Sequence, residues 1–225
     1  MDQTISIMGK MNTAKLIDFV PSLKATDVKI PESVSLVIAN SITPSPKLLT
    51  LGTRYNKRVV ECRFGVAIMA LKKKLIKDYM SCPYTTFQQL QEALGLSLSD
   101  MLKEVTLTLK IGGYTIQMLQ RETGYEQPFE LVASIPHINE VESKNTVFNL
   151  YERAYHVFGE AKRVHDYKAV CEDQSIDEEA KIKRLGELMN ASHKSCDMLY
   201  ECSSPELNEL TKMARDAGAL GSRLT

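Results

Sequence analysis

The 225-residue chain lacks an excess of charge of either sign: Lys plus Arg and Asp plus Glu both number 28. A balanced chain exerts no long-range pull on nucleic acid or on an anionic membrane surface, so neither is expected as a partner. It lacks any run approaching the ~20 apolar residues that a membrane helix requires. Its first residues have no apolar signal segment, Asp2 and Gln3 following Met1 directly. It also lacks a C-x-x-C pair, and its cysteines are odd in number: Cys62, Cys82, Cys171, Cys196 and Cys202. An odd count fits no closed disulfide framework, and Cys196, Cys202 and His193 do not have the paired spacing of a structural zinc site. Buried thiols in a reducing, cytoplasmic setting are the expectation, with no metal site assigned. No internal repeat and no low-complexity segment interrupts the chain.

What is present is ordinary globular material, 44% hydrophobic and 25% charged, enough for a sizeable core. Ala14–Phe19 and Val34–Ala39 read as strands, each short, rich in branched residues and flanked by prolines. Two strands alone make no stable sheet, so missing partners are implied. From Arg54 the pattern turns helical, with Val59, Val60, Cys62, Val66, Ala67, Ala70 and Leu71 on one stripe. Lys72 to Lys74 read as a solvated helix end, where cations suit the dipole. Residues 78–145 contain helix candidates at Thr86–Leu94 and Ser99–Leu109, broken by Gly112-Gly113, Gly124 and Pro128. The last third holds two apolar stripes, one from Val147 to Val164 and one from Ile182 to Cys196. Ser204-Pro205-Glu206 then starts a further helix, serine as N-cap and proline at the first helical position, which stops at Gly218.

Three separated stretches carry a resemblance. Gly186 to Ser195 (GELMNASHKS), Tyr200 to Leu207 (YECSSPEL) and Gly221 to Thr225 (GSRLT) occur in that order. At the front stand Met1-Asp2-Gln3 with Ile5-Ser6, then ATDVKIP at Ala25 to Pro31, IANS at Ile38 to Ser41 and YNKRVVEC at Tyr55 to Cys62. Together they resemble the galactokinase and N-acetylgalactosamine kinase family of GHMP-type sugar kinases, and Thr13 to Phe19 with Ala25 to Pro31 resemble its N-acetylgalactosamine branch in particular.

The resemblance implies an α+β fold: residues 1–40 as the end of an N-terminal kinase domain, and 41–225 as an incomplete C-terminal GHMP domain with an insertion around 78–145. Family members carry a G-E-H sugar segment, a phosphate loop and a final Gly-rich loop, none of which occurs here. An internal piece of a longer chain, with little activity by itself, is therefore implied. The implied reaction is transfer of the ATP γ-phosphoryl group to the anomeric hydroxyl of galactose or N-acetylgalactosamine, with Mg2+, in a monomeric cytoplasmic protein. Asp2 matches the catalytic aspartate, which also contacts the sugar. Tyr55 matches a sugar-contacting tyrosine. Lys47 falls where an Asn-Lys pair touches nucleotide, although Pro46 replaces the Asn. A non-catalytic sugar- and ATP-sensing relative, or a degraded paralogue acting as a binding protein, is the alternative. His193, Ser195 and Asp197 lie at i, i+2 and i+4 and do not converge as a nucleophilic triad. Arg223 is expected in a structural ion pair.

Overall fold

Helix α2, Asn56–Lys72, sits where the helical stripe begins, and its apolar residues do more than line one face. Val60, Phe64, Val66, Ile68, Met69 and Ala70 are all fully buried, so the helix is enclosed by its neighbours. In the computed structural model, which describes residues 2–43 and 54–225, those neighbours are α3 (Phe87–Leu94), α4 (Leu98–Thr108) and α6 (Ile138–Lys144). Helix α5 (Ile116–Thr123) and a 3-10 turn at Pro128–Val132 complete this part. Leu90, Met101, Val105, Leu119 and Phe148 join the same core, each at or near zero exposure. Phe64, Phe129 and Phe148 meet edge to face, with centroids 5.1 to 6.1 Å apart. That geometry adds about 0.5–1.5 kcal/mol per pair beyond burial.

Local signals explain where these helices stop and start. Thr86 caps α3 through a reciprocal capping box with Gln89, and Gly95 ends it in the left-handed region at φ 64°. Ser97 and Thr115 cap α4 and α5 through their hydroxyls. The lysines at the end of α2 are more than solvated. Lys72 pairs with Glu122 at 2.7 Å and Lys73 with Glu104 at 2.9 Å, tying the helix end to α5 and α4.

The described residues fall into two units. One is drawn from Pro44–Gly159 and Met198–Tyr200, and is the helical body above. The other is drawn from Met1–Thr43, Glu160–Asp197 and Glu201–Thr225. It opens with a short helix, α1 (Asp2–Met8), and an antiparallel hairpin of β1 (Thr13–Asp18) and β2 (Lys24–Lys29). Thr13 pairs with Lys29 and Asp18 with Lys24, which places Lys15 opposite Asp27. Val28, Ala14 and Leu16 pack on Tyr167, Val170 and Cys171 of α7 (Leu150–Glu172) and on Leu185 of α8 (Glu178–Met198). Helix α9, Pro205–Asp216, starts on the Ser204 cap as expected, and the chain turns at Gly218, φ 100°.

The α+β class holds, with one strand assigned differently. Val34–Ala39 is not a strand: it runs without a ladder partner among the described residues, and Leu36, Val37 and Ile38 are 68%, 91% and 94% exposed. Branched residues fit a pleated, half-buried surface, but they form a strand only where another strand takes their hydrogen bonds. The partner of β1 is instead the more polar Lys24–Lys29. Uncovered apolar surface occurs as expected in this first stretch, at Ile7, Met11, Phe19 and Val37. In α2 it is confined to Val59, the core-facing residues of that helix being enclosed.

Candidate functional site

In the unit holding the hairpin, α8 presents Gly186, Asn190 and His193 at helical spacing, and the chain segment after Gly218 lies against them. Gly186 and Gly221 meet backbone to backbone; a Cβ on Gly186 would stand 2.6 Å from the carbonyl carbon and oxygen of Leu220. No side chain fits there. The Asn190 amide donates to the Leu220 carbonyl at 3.0 Å and accepts from the Ser222 N–H at 3.0 Å, a two-point clamp on one peptide segment. His193 adds a third point. Its Nδ1 accepts the Leu224 N–H at 3.3 Å, so the ring proton resides on Nε2, which reaches Thr211 Oγ1 at 3.0 Å. Thr211 passes its own proton to the Asn208 carbonyl. Burial, aided by the Arg215 charge, holds His193 below the usual imidazole range, as this neutral tautomer requires. His193 is thus a structural anchor, with both ring nitrogens engaged.

Beside this clamp lies a cavity of about 320 Å³. Leu16, Val28, Val164, Tyr167, Leu188 and Met189 make its apolar wall. Its polar corner centres on Glu160, which accepts from Ser192 Oγ at 2.8 Å and from Arg163 Nε at 2.6 Å. Arg223 stands 3.9 Å from the same carboxylate, the ion pair expected of it, and donates to the Leu224 carbonyl at 2.8 Å. Ser192, Arg163 and Arg223 thus converge on one carboxylate, which ties the last residues of the chain to α7.

The helical body also holds a buried ion pair. Glu61 is fully buried and accepts Arg153 Nε at 2.6 Å and the Asn149 N–H at 2.8 Å. Arg153 also donates to the Leu199 carbonyl, and its guanidinium lies 6.0 Å from the Tyr200 ring centroid. Arg58 donates to the Tyr200 carbonyl at 2.5 Å, and the His156 ring stacks on Tyr200 at 4.5 Å. Burial and the Glu61 carboxylate push the adjacent Cys62 thiol up to about 12. A charged residue inside the α2 apolar stripe was the available signal; its partner stands 92 positions away.

The predicted site residues fall as follows. Asp2 is the first residue of α1. Tyr55 is the N-cap of α2, 62% exposed and making no side-chain cap. Lys47 lies outside the described residues. Among the described residues no group of three His, Cys, Asp or Glu side chains is placed to hold a metal ion, and no helix is long and apolar enough to cross a membrane. The cysteines correct one expectation: Cys171 and Cys196 are buried and Cys62 and Cys82 partly so, but Cys202 is exposed.

Comparison with known proteins gives this geometry its class. Residues 176–225, which hold α8, the clamp and α9, match the model of the GHMP kinases C-terminal region. A galactokinase of Dictyostelium discoideum is 36% identical over 242 residues, covering 100% of this chain and 46% of that protein. A galactokinase of Saccharomyces cerevisiae is 31% identical, covering 100% of this chain and 48% of its own length. A mevalonate kinase of Pyrococcus horikoshii is 50% identical over 50 residues, 22% of this chain and 15% of that protein. Along its whole length the chain is similar to galactokinases, and its residues 176–225 to the GHMP kinases C-terminal region, which supports a galactokinase-type GHMP kinase fragment. It spans about half the length of the curated galactokinases it matches.

Proposed function

We propose that the protein carrying this chain transfers the γ-phosphoryl group of ATP to the anomeric hydroxyl of galactose, with Asp2 receiving the hydroxyl proton. The observation that supports this most is a match to a galactokinase that is 36% identical and spans 100% of the chain, the region around Asp2 included. Phosphoryl transfer asks little covalent chemistry of a protein; it asks that the acceptor oxygen be aligned and its proton have somewhere to go. A carboxylate supplies that destination. Tyr55, exposed at the start of α2, offers an aromatic face and one hydroxyl to a sugar. Lys47 is assigned to the nucleotide. The donor set for Mg2+ is not assembled among the described residues, so no step is routed through the ion.

The test is ADP release by the longer reading frame that carries this chain, with galactose and N-acetylgalactosamine as separate acceptors. Galactose-dependent turnover supports the proposal. Turnover with N-acetylgalactosamine alone changes the substrate and keeps the reaction. Sugar and ATP binding without turnover would replace the enzyme by a sensor.

A further inference from the structure

Cys196 lies in the last turn of α8 and is 6% exposed; Cys202 follows the helix end and is exposed. The backbone folds one onto the other. The Cys202 N–H donates to the Cys196 carbonyl at 2.9 Å, and the Cys202 Sγ–H donates to the same oxygen at 3.4 Å. An exposed and a buried cysteine are therefore held at the same carbonyl at the end of α8, as an attacking and a resolving thiol would need to be. The third soft donor nearby, His193, has both nitrogens engaged, so the three do not form a zinc ligand set.

We propose that Cys196 and Cys202 form a reversible dithiol–disulfide site that reacts with small-molecule disulfides such as oxidised glutathione. Cys202 loses its proton and attacks one sulfur of the glutathione disulfide. That S–S bond breaks, and the departing glutathione thiolate takes up a proton. The Cys202–glutathione mixed disulfide is then attacked by Cys196, which gives up its proton as the second glutathione leaves. The balance is one protein disulfide and two glutathione thiols formed from two protein thiols and one glutathione disulfide. The hydrogen bond to Cys202, then burial, raises the Cys196 thiol well above the ordinary range, which puts the first attack on Cys202. Burial likewise raises Cys62, Cys82 and Cys171, which leaves the exposed Cys202 as the first target.

The sequence makes the test direct. Trypsin releases Ser195–Lys212 as one peptide, which contains both cysteines and no internal Lys or Arg. After the full 225-residue chain is treated with oxidised glutathione and digested without reduction, this peptide should be lighter by two hydrogens, and dithiothreitol should reverse the change. Cys196→Ser should instead accumulate a stable glutathione adduct at Cys202. In the untreated wild type, pulse alkylation should label Cys202 at least about tenfold faster than Cys196. The proposal is overturned if wild type and Cys196→Ser hold the same glutathione adduct, if Cys62 or Cys82 reacts first, or if Cys196 and Cys202 alkylate at equal rates.

Discussion

Replacing Glu61 by Gln should be among the most damaging single substitutions in the helical body. Each Glu61 oxygen accepts one hydrogen bond, Oε1 from the Asn149 N–H and Oε2 from Arg153 Nε. A glutamine keeps one acceptor and turns the other into an NH2 group facing a donor. It also removes the carboxylate charge that faces Arg153, 1% exposed, at 2.6 Å and Lys57 at 3.7 Å. Breaking a buried ion pair from one side costs about 3–5 kcal/mol, because the surviving charge stays desolvated. Surface pairs such as Lys212–Asp216 have no such leverage, contributing ~0–1 kcal/mol. Urea unfolding followed by helical circular dichroism reads the effect. At a slope near 2 kcal/mol per M, the midpoint should fall by about 1.5–2.5 M. The double variant Glu61→Leu with Arg153→Met removes both charges and should recover part of that loss. A Glu61→Gln loss below about 1 kcal/mol would refute the reasoning, since Arg153 would then have found water or another partner.

Two further outcomes follow from the tail clamp. Gly186→Ala places a Cβ 2.6 Å from the Leu220 backbone, which cannot rotate aside, so about 1–3 kcal/mol should be lost. Hydrogen exchange should show it first as faster exchange at the Ser222 and Leu224 amides, the donors to Asn190 and His193. His193 has its folded value lowered from 6.5, so its neutral form is the stabilising one. That contribution is complete above pH 6.5 and is lost as pH falls through the folded value, because the unfolded imidazole protonates first. Unfolding midpoints measured across that range should show the slope, and His193→Gln should flatten it.

Much of the fold is written in local pattern. The Ser204-Pro205 start of α9, the stripes of α7 and α8 and the Thr86 cap of α3 all depend on residues within a few positions of one another. Pairing is where the reading failed. Val34–Ala39 has the composition of a strand and no ladder partner among the described residues, whereas Lys24–Lys29, polar at most positions, becomes β2 because it returns along β1. The site divides the same way. The G-x-L-M-x-x-S-H-x-S motif was visible, but not that its Gly186, Asn190 and His193 grip Leu220–Leu224, since the grip joins side chains to a backbone about 30 residues on. Asp2 and Tyr55 were found through motif resemblance alone, and Glu61–Arg153, 92 positions apart, left no pattern to read.

The measurement that bears most directly on the central claim is galactose-dependent ADP release by the longer protein, wild type against Asp2→Asn. Asparagine keeps the shape of the side chain but accepts no proton from the sugar hydroxyl. The account predicts robust wild-type turnover and a loss of about 100-fold or more in the catalytic rate, with ATP affinity nearly unchanged. An Asp2→Asn variant that retains more than roughly a tenth of the wild-type rate would contradict the assignment of Asp2 as the base.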